Sequence, residues 1–246
     1  MVISIITPNF NGAKFLDGCI QSILEQEVDF EHIVIDGEST DGSLEIIKKY
    51  KHIKYISEKD SGMYDAINKG LKMASGDIIA YLNSDDRYPL GVFKEVLKVF
   101  SESNPDYVYG DCRLVDEDRN ELYVYKAVSV PRSILTRISV VPWAQPSSFY
   151  KRSVFTELNG FNVKYKLASD YHFMKRVILD GFSSIAIATP LSEFMKRDDA
   201  LSSIFEARMA QEVEDINAEL KIKNFFILNL LFNFYRKIIN YRTFFN

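Results

Sequence analysis

The sequence is poor in cysteine, with only Cys19 and Cys112 among its 246 residues. Two widely separated cysteines provide neither a disulfide framework nor the ligand spacing of a metal site, and this usage is typical of a reducing cytoplasm. Long apolar runs are also missing, because no stretch reaches the roughly 18 residues of a membrane-spanning helix. The chain begins directly in a predicted strand, so we expect no signal peptide. These absences predict a cytoplasmic protein.

An excess of positive charge is absent as well. The 30 basic and 34 acidic residues give a formal net charge of −4, so the overall charge predicts no nucleic-acid partner. Residues 221–246 nevertheless contain five basic residues and no acidic one, which leaves 25 basic and 34 acidic residues, or −9, in the rest of the chain. The basic character is therefore confined to the C-terminal tail.

The chain does contain a regular alternation of predicted strands and helices. Short apolar runs typical of buried strands lie at residues 2–7, 32–36, 53–57, 78–82 and 107–110. Predicted helices separate these strands. They lie at residues 15–27, from after residue 42 to about residue 50, at 63–73 and at 91–103. This alternation predicts an α/β fold, with a Rossmann-like, mostly parallel sheet and helices on both faces.

After residue 110 the rhythm changes, and the predicted elements are a hairpin at 113–115 and 121–125, a strand at 148–150, and helices at 153–159, 170–179 and 205–220. The last of these is amphipathic, because apolar residues recur along it three or four apart.

Three acidic clusters follow predicted parallel strands, at Asp36, at residues 58–60 and at residues 83–86. Ligands of open α/β sheets bind beyond the carboxyl ends of the strands, so the three clusters should share one edge. The oxygen-rich segment 83–86 suits a hard cation such as Mg²⁺ or Mn²⁺, which would hold phosphates. The alternative is an ordinary polar turn, since Asn, Ser and Asp are common turn residues.

Common nucleotide motifs are missing from the loop after the first strand. Residues 8–12 contain one glycine, so they form neither a Gly-x-Gly-x-x-Gly fingerprint nor a P-loop. The glycine-rich basic loop of a sugar-nucleotide pyrophosphorylase is missing too. A dinucleotide enzyme is therefore disfavoured, and a nucleotidyltransferase is a weaker alternative.

Four segments, in this order, resemble the family-2 glycosyltransferases of the GT-A fold. They are IITPNFN at residues 5–11, VIDGESTDGS at 34–43, EKDSGMYDAINKG at 58–70 and GDIIAYLNSDD at 76–86. The likeness covers roughly residues 1–200 and is greatest to transferases of bacterial surface polysaccharides, of the colanic-acid type. It implies inverting transfer of a sugar from a nucleotide-diphosphate sugar, with UDP as the default, to a glycan or lipid-linked acceptor.

The resemblance also implies roles for individual residues. Thr7 and Pro8 would wall the base pocket, and Asp36 would hydrogen-bond the base. The residues implied in nucleotide binding are Thr7, Pro8, Asn9, Asn11, Asp36, Ser39, Asp60, Gly62, Tyr64, Asp65, Asn68, Asn83 and Ser84. Asp85 and Asp86 would ligate Mn²⁺ or Mg²⁺. Asn83 replaces the first carboxylate of the family's Asp-x-Asp, and its amide offers an oxygen without the charge.

The resemblance implies that Asp170 is the catalytic base, because it follows Gly160-Phe161-Asn162 at the start of a predicted helix. Inverting transfer needs one carboxylate to accept the proton of the acceptor hydroxyl. The residue pattern alone favours an Asp that stabilises a helix N-terminus by capping and by its charge.

On the acceptor side Gln145 and His172 are weaker candidates, and His172 also suits a partly buried position on its helix. Residues 196–199, Lys-Arg-Asp-Asp, lie where a loop could close over the diphosphate, although such a charge run is more often a solvated turn. The Gln-x-x-Arg-Trp of processive synthases is missing, which favours transfer of a single sugar.

We expect a GT-A domain at residues 1–200, with a nucleotide-binding half at about 1–110 and an acceptor half at about 111–200. A C-terminal helical extension would follow at 201–246. The rival from another class is a non-catalytic nucleotide-sugar-binding or scaffold protein, because Asn83 weakens the metal motif.

The tail, residues 224–246, has a polar stripe when it is drawn as a helix. Asn229, Asn233, Arg236, Lys237 and Asn240 recur three or four apart, and the remaining face is rich in Phe, Ile, Leu and Tyr. One interpretation is a helix in the membrane interface, at the inner face of the cell membrane. The other, slightly favoured, is a helix packed on its own domain or in a homodimer, because apolar stripes usually face a core.

Overall fold

The computed structural model describes residues 1–197, 204–222 and 225–241. The strands are β1 (Ile3–Asn9), β2 (Phe30–Asp36), β3 (Ile53–Ser57), β4 (Ile78–Tyr81), β5 (Tyr107–Val115), β6 (Glu121–Tyr125), β7 (Ser148–Lys151) and β8 (Ser184–Met195). The helices are α1 (Ala13–Leu24), α2 (Ser43–Lys49), α3 (Met63–Met73), α4 (Val92–Ser103), α5 (Arg132–Leu135), α6 (Arg152–Leu158), α7 (Ser169–Asp180), α8 (Glu206–Glu219) and α9 (Phe226–Tyr241). A single 3₁₀ turn, Gln145–Ser147, precedes β7.

The strands form one mixed sheet of eight. Seven of them follow the order β3-β2-β1-β4-β7-β5-β6, and β8, which is outside this order, also pairs with β5. The first four strands are parallel to one another, as their alternation with helices predicts. Because parallel strands end at one edge, Asn9 of β1 lies beside Asp36 of β2, and Asp36 lies beside Ser57 of β3. This edge gathers the polar residues that the sequence places after each strand.

The second half of the sheet departs from the predicted pattern. β7 runs antiparallel to both of its neighbours, β4 and β5. The two strand segments predicted at 107–110 and 113–115 are one continuous strand, β5, which pairs in parallel with β8. Gly110 permits this pairing, since a Cβ at that position would lie 2.6 Å from the Cγ atom of Leu191 in β8.

Both faces of the sheet are covered by helices, and β1 shows how the residues divide between them. Ile3 and Ile5 pack with residues of α1 and α4, whereas Ile6 packs with residues of α3, α6 and α7. All three isoleucines are fully buried. Alternate side chains of a strand point to opposite faces, so a strand buried on both sides reads as a continuous apolar run.

The C-terminal helices pack against the rest of the chain. Ile216 of α8 is fully buried and lies with Tyr165 and Ala168, just before α7. Phe232 of α9 joins the core cluster on the α3, α6 and α7 side of the sheet. The predicted domain boundary at residues 200 and 201 lies outside the described residues. Within the described part of the chain, no helix has both the length and the apolar character to cross a membrane.

Candidate active site

Asp36 forms the centre of a hydrogen-bond cluster at the carboxyl ends of β1, β2 and β3. Its carboxylate accepts bonds from Asn9 Nδ2 at 2.8 Å, from Ser57 Oγ at 2.7 Å, and from both the backbone N–H (3.1 Å) and the hydroxyl (2.5 Å) of Ser39. Burial alone would raise the pKa of Asp36, but bonds from Ser39, Ser57 and Asn9 outweigh it and lower that pKa. The carboxylate of Asp36 thus already accepts four hydrogen bonds from the protein. Its hydrogen bond to the base of a nucleotide stays a prediction.

The loop after β1 connects this cluster to the loop after β4. Ser39 Oγ accepts the N–H of Asn11 at 2.8 Å, and Asn11 Oδ1 accepts the N–H of Thr40 at 2.9 Å. A Cβ at Gly12 would collide with Asn9 Oδ1 and lie 2.7 Å from Ser84 Oγ. Gly12 therefore lets Asn9 and Ser84, both predicted to bind the nucleotide, meet at one point. Asn9 Oδ1 is buried without a hydrogen-bond partner among the described residues.

Thr7 and Pro8 lie in β1 and are buried. Thr7 Oγ1 is 3.0 Å from His32 Nε2 in the interior, and burial lowers the pKa of His32 to about 3. Neither Thr7 nor Pro8 is exposed, and their predicted role as walls of the base pocket stays a prediction. Thr7 and Pro8 pack in the interior near the carboxyl end of β1.

Residues 60–65 form the loop and first turn that lead into α3. Asp60 Oδ1 accepts the N–H of Gly62 at 2.8 Å, and Asp65 Oδ2 accepts the N–H of Ser61 at 3.0 Å. A Cβ at Gly37 would lie 2.7 Å from Asp60 Oδ2, so this loop packs closely against the end of β2. The structure thus brings Asp60 and Asp36 to the same edge, as predicted from their positions after strands.

Asn68, predicted to bind the nucleotide, instead joins two parts of the protein. Its side-chain amide donates to the carbonyl of Phe161 at 2.8 Å and accepts the N–H of the same residue at 2.9 Å. Gly160 has a left-handed φ of +67°, and a Cβ there would lie 2.6 Å from Asn68 Oδ1. Asn68 therefore fixes the segment before α7, and its contact with a nucleotide stays a prediction.

Asp170 lies in the first turn of α7, where the sequence predicts the base. Its Oδ1 atom accepts a 2.9 Å hydrogen bond from the hydroxyl of Tyr64 in α3, and a 2.7 Å bond from the N–H of Tyr171. Burial raises the pKa of Asp170, and the bonds from Tyr171 and Tyr64 lower it only in part. A carboxylate of raised pKa is a stronger base when it is ionised, which suits proton abstraction.

Aromatic rings connect Asp170 to the end of β4. The ring of Phe161 stacks on Tyr64 with centroids 5.5 Å apart, and it meets Tyr81 edge-on at 5.4 Å. The charge of Asp170 contributes, after burial, to the raised pKa of Tyr81, the last residue of β4. The candidate base and the segment 83–86 therefore lie on the same side of the molecule.

The segment 83–86 turns sharply after β4. The N–H of Asp86 donates to the carbonyl of Asn83 at 3.0 Å, and Asp86 Oδ1 accepts the N–H of Met195 at 2.9 Å. Asp86 is only 1% exposed, and burial followed by the charge of Asp85 raises its pKa well above the usual range. Asn83 Oδ1 and Asp86 Oδ2 are buried and have no hydrogen-bond partner among the described residues.

Arginines surround this acidic turn, a feature that the sequence does not predict. Arg197 lies 3.3 Å from Asp85 Oδ2 and places its guanidinium 4.8 Å over the ring of Phe15. Arg119, in the hairpin between β5 and β6, donates to the carbonyl of Asp85 at 2.8 Å. Burial, and next the charge of Arg87, lower the pKa of Arg119. Arg197 therefore contacts the acidic turn and does not belong to a solvated turn of charged residues. Asp198 and Asp199 lie outside the described residues.

The two weak acceptor-side candidates lie apart from each other. Gln145 donates to the carbonyl of Tyr81 at 3.1 Å, beside the end of β4, and its contact with an acceptor stays a prediction. His172 is 4% exposed and faces α8, with Nε2 3.3 Å from Glu219 Oε1. Burial lowers the pKa of His172 despite that carboxylate. His172 thus takes the buried position that its helix also allowed, and its contact with an acceptor stays a prediction.

Glu212 is a site-building residue that the sequence pattern did not reveal. From α8 its carboxylate accepts three backbone N–H groups, those of Lys166 (3.1 Å), Leu167 (2.8 Å) and Ala168 (3.1 Å). These residues immediately precede α7 and Asp170. The only local signal is a carboxylate within the apolar stripe of α8, where a buried acid needs partners.

A divalent cation would have a limited set of protein ligands here. Among the described residues, no group of three or more His, Cys, Asp or Glu side chains could hold a metal ion. Asp85 provides one carboxylate at the turn, and the unpartnered Oδ1 of Asn83 provides a second oxygen. Mg²⁺ at nucleotide sites is commonly bound by one or two carboxylates together with substrate phosphates, so this donor set fits a cation that binds with a diphosphate.

Comparison with known proteins agrees with this architecture. The sequence matches the family described as "Glycosyl transferase family 2" over residues 4–179. The chain belongs to glycosyl transferase family 2. Among its relatives is TuaG of Bacillus subtilis, named for teichuronic acid biosynthesis, with 29% identity over 211 residues that cover 82% of each protein.

Solved structures of low identity share the fold of this glycosyl transferase. Residues 1–349 of TarS of S. aureus, in complex with UDP, have a TM-score of 0.66 and 19% identity, over 89% of this chain and 65% of that TarS fragment. The mannosyltransferase PcManGT of Pyrobaculum calidifontis, in complex with GDP-Man and Mn²⁺, has a TM-score of 0.67 and 19% identity, over 88% of this chain and 63% of that protein. The chain therefore spans slightly less than two thirds of each of these two crystallised chains, and the predicted GT-A fold is confirmed.

Proposed function

We propose that this glycosyl transferase moves one sugar from a nucleoside-diphosphate sugar to a hydroxyl of a glycan or lipid-linked acceptor, with inversion at the anomeric carbon. UDP is the proposed nucleotide, Mn²⁺ or Mg²⁺ the proposed cation, and the cytoplasmic side of the cell membrane the proposed place. The observation that carries the proposal is Asp170, a half-buried carboxylate held by Tyr64 from the opposite half of the site. The family and the relative named for teichuronic acid biosynthesis support a role in making a surface polysaccharide.

The donor would occupy the edge where β1, β2 and β4 end. The Asp36 cluster lies at one side of this edge and the turn 83–86 at the other, joined where Asn9 meets Ser84. A nucleoside bound near the cluster would direct its diphosphate toward Asp85. TarS with UDP and PcManGT with GDP-Man, which share this fold, show that such a scaffold accommodates a nucleoside diphosphate or a nucleotide sugar in those proteins.

Asp170 would act as the general base. The acceptor oxygen attacks the anomeric carbon, its proton passes to the carboxylate of Asp170, and the bond from that carbon to the diphosphate breaks. Attack from the face opposite to the leaving group inverts the configuration. Tyr64 holds Oδ1 of Asp170 during this step, which leaves Oδ2 to receive the proton.

The leaving diphosphate carries negative charge, and this site can stabilise that charge in two ways. Arg197 and Arg119 contribute fixed positive charge next to the turn 83–86. A bound Mn²⁺ or Mg²⁺, held by Asp85 and Asn83, would add Lewis-acid stabilisation of the leaving group. Both would offset the repulsion between the diphosphate and the acidic residues of the edge.

Donor hydrolysis is the experiment that tests this function. Purified protein is incubated with UDP-, GDP- and dTDP-sugars in the presence of Mn²⁺ or Mg²⁺, and the nucleotide that is released is measured. With an acceptor, proton NMR of the product gives the anomeric configuration, which should be opposite to that of the donor. Asp170→Asn should lower turnover by roughly 10²–10⁴, while donor binding measured by calorimetry stays within about twofold of wild type.

The matched control is Asp180→Asn, at the exposed opposite end of α7, which should keep wild-type turnover. Asp170→Asn should unfold at the same or a higher temperature, because burial raises the pKa of Asp170 and its ionised form opposes folding at neutral pH. Donor binding without nucleotide release would identify a non-catalytic binder. Nucleoside triphosphate formed from pyrophosphate would identify a nucleotidyltransferase, and normal turnover of Asp170→Asn would remove this residue from the mechanism.

A further inference from the structure

Helix α9 is attached to the protein through a side that carries the buried Phe232 and two asparagines. Asn229 Oδ1 accepts the N–H of Ser139 at 2.9 Å, and Asn240 Oδ1 accepts the N–H of Lys126 at 2.7 Å. These two asparagines belong to the polar stripe that the sequence predicts along this helix. The side of α9 that carries Asn229 and Asn240 thus faces the chain segment around residues 126–139, whereas Asn233 and Lys237 of the stripe are exposed.

The opposite side of α9 is apolar and exposed. Its side chains with their exposed fractions are Phe226 (78%), Ile227 (71%), Leu230 (60%), Leu231 (59%), Phe234 (64%), Tyr235 (49%) and Ile238 (53%). We call these seven residues the apolar face of α9. They recur three or four apart and therefore form one continuous surface along the helix. Soluble monomers rarely expose contiguous apolar surface of this kind unless it serves an interaction.

The stretches of sequence that hold this helix and its anchor contain basic residues and no acidic one, although Lys126 and Lys151 pair with Asp111 and Asp106 elsewhere in the chain. The segment that anchors the helix lies within residues 122–156, which contain five basic residues and no acidic one. Residues 221–246 likewise contain five basic residues and no acidic one. Lys237 on the helix and Arg137 beside its start are both exposed, and the guanidinium of Arg137 lies 5.9 Å from the ring of Phe225.

We propose that the apolar face of α9 lies in the interface of a membrane that contains anionic lipids. Apolar side chains would enter the boundary between headgroups and acyl chains, while the surrounding cations contact anionic headgroups. A second copy of this chain is the less suitable occupant. A two-fold dimer through the same face would bring two sets of cations together without acidic residues from these segments to pair with them.

The membrane-facing helix is connected to the helix that carries the candidate base. Lys175 of α7 is fully buried and donates to the carbonyls of Leu135 (2.8 Å) and Ile138 (2.7 Å). The next residue along, Ser139, is the one that Asn229 of α9 binds. Docking of α9 on a membrane would therefore place α7 at a fixed height above the surface, which suits an acceptor embedded in that surface.

Vesicle flotation of the full-length protein tests the proposal without donor or acceptor. The vesicles contain phosphatidylcholine alone or phosphatidylcholine with phosphatidylglycerol, at low and at high salt. The protein should float with the anionic vesicles at low salt, and less with the neutral ones or at high salt. Ile227→Gln with Leu231→Gln should lower the partition coefficient by about tenfold or more, because two exposed apolar side chains no longer enter the lipid.

The matched control is Leu24→Gln with Leu90→Gln, two exposed leucines outside α9, which should float like wild type. Both double variants remove exposed side chains, so circular dichroism and melting temperature should be nearly unchanged. Wild-type protein that stays soluble with anionic vesicles at low salt overturns the proposal. So does a wild-type dimer in solution that Ile227→Gln with Leu231→Gln converts to monomer, since the apolar face then binds a second copy.

Discussion

Tyr64 of α3 donates its hydroxyl to Oδ1 of Asp170, at the start of α7, over a distance of 2.9 Å. The two residues are 106 positions apart in the sequence, and they lie in the predicted nucleotide-binding and acceptor halves. One hydrogen bond therefore joins the two halves at the candidate base. We propose that Tyr64 acts on the reaction through Asp170, as a positioning residue.

Tyr64→Phe should move the acidic limb of the pH–rate profile to higher pH. The bond from Tyr64 lowers the pKa of Asp170, which burial raises, so its loss raises that pKa further. A base must be unprotonated to act, and turnover at a fixed pH below the limb therefore falls. We expect a shift of about half a pH unit or more, equivalent to a bond of roughly 1 kcal/mol. The measurement is turnover against pH at saturating donor.

Tyr50→Phe is the control for this experiment, because the hydroxyl of Tyr50 also donates to a carboxylate, that of Asp17, at 2.7 Å on the surface. It should leave the profile where it is. A Tyr64→Phe profile that only decreases in height, with its acidic limb unmoved, would mean that Tyr64 stabilises the fold without tuning Asp170.

The first half of the fold is predictable from sequence because its signals are local. A strand buried on both faces reads as an apolar run, as in Ile78–Tyr81, and the helix Met63–Met73 follows from periodicity alone. The gathering of Asp36 and Asn83 at one edge follows from the topology of parallel strands. The family resemblance adds the placement of Asp170.

The rest depends on long-range contacts that no local pattern encodes. β8 contains Pro190, which weakens a strand prediction, and in the structure it falls opposite Asp111 where the pairing register shifts. The hydrogen bonds of Asn68 to Phe161 connect residues 93 positions apart, so its structural role could not be inferred. Arg197 resembles any charged turn until its contact with Asp85 is known.

Arg197→Gln should affect cation binding and donor binding in opposite directions. Arg197 lies 3.3 Å from Asp85 Oδ2 and therefore competes with a cation for that carboxylate. Its removal should tighten Mn²⁺ binding to the free protein by up to about fivefold, the usual value of such a pair, and weaken donor binding by a similar factor. Calorimetry with Mn²⁺ alone, and then with nucleoside diphosphate and Mn²⁺, measures both constants.

Two further variants serve as the ligand test and the control for this experiment. Asp85→Ala should lose most of the cation dependence of diphosphate binding, and Asp29→Ala, an exposed aspartate before β2, should behave like wild type. If Asp85→Ala and wild type bind the diphosphate equally well without any metal, Asp85 has no role as a ligand. Equal Mn²⁺ affinity in wild type and Arg197→Gln would show that the pair does not compete.

Glu212→Ala should lower the turnover number and leave donor affinity nearly unchanged. Three backbone N–H groups before Asp170 lose their acceptor, so the start of α7 loses its fixed position. A displacement of about 1 Å at a reacting group can cost up to 10²-fold in rate, and we expect a loss of 10- to 100-fold. Glu212→Gln, which retains one oxygen acceptor, should recover part of this loss. Glu214→Ala, an exposed neighbour on α8, is the control, and an equal fall in turnover there would point to a general effect on the helix.

The stability of the protein should rise with pH above 8 because of Lys175. Burial lowers the pKa of this fully buried lysine from 10.5 to about 8. Between these values the unfolded chain binds a proton that the folded protein has lost, so the free energy of unfolding increases as the pH rises through this window. Below pH 8 both states are protonated and the contribution is constant. The increase from this residue is at most about 3 kcal/mol, since each unit of pKa corresponds to about 1.4 kcal/mol.

Urea unfolding at several pH values between 7 and 10.5 measures this effect, in wild type and in Lys175→Met. The variant lacks the titrating group, so the difference between the two proteins should widen with pH in favour of wild type. Lys175→Met also leaves the carbonyls of Leu135 and Ile138 without their donor, which lowers stability by a constant amount at every pH. Lys94→Met, on the exposed side of α4, should follow wild type throughout. Curves for wild type and Lys175→Met that run parallel across this window would show that Lys175 keeps its proton in the folded protein, paired with both carbonyls as an ammonium.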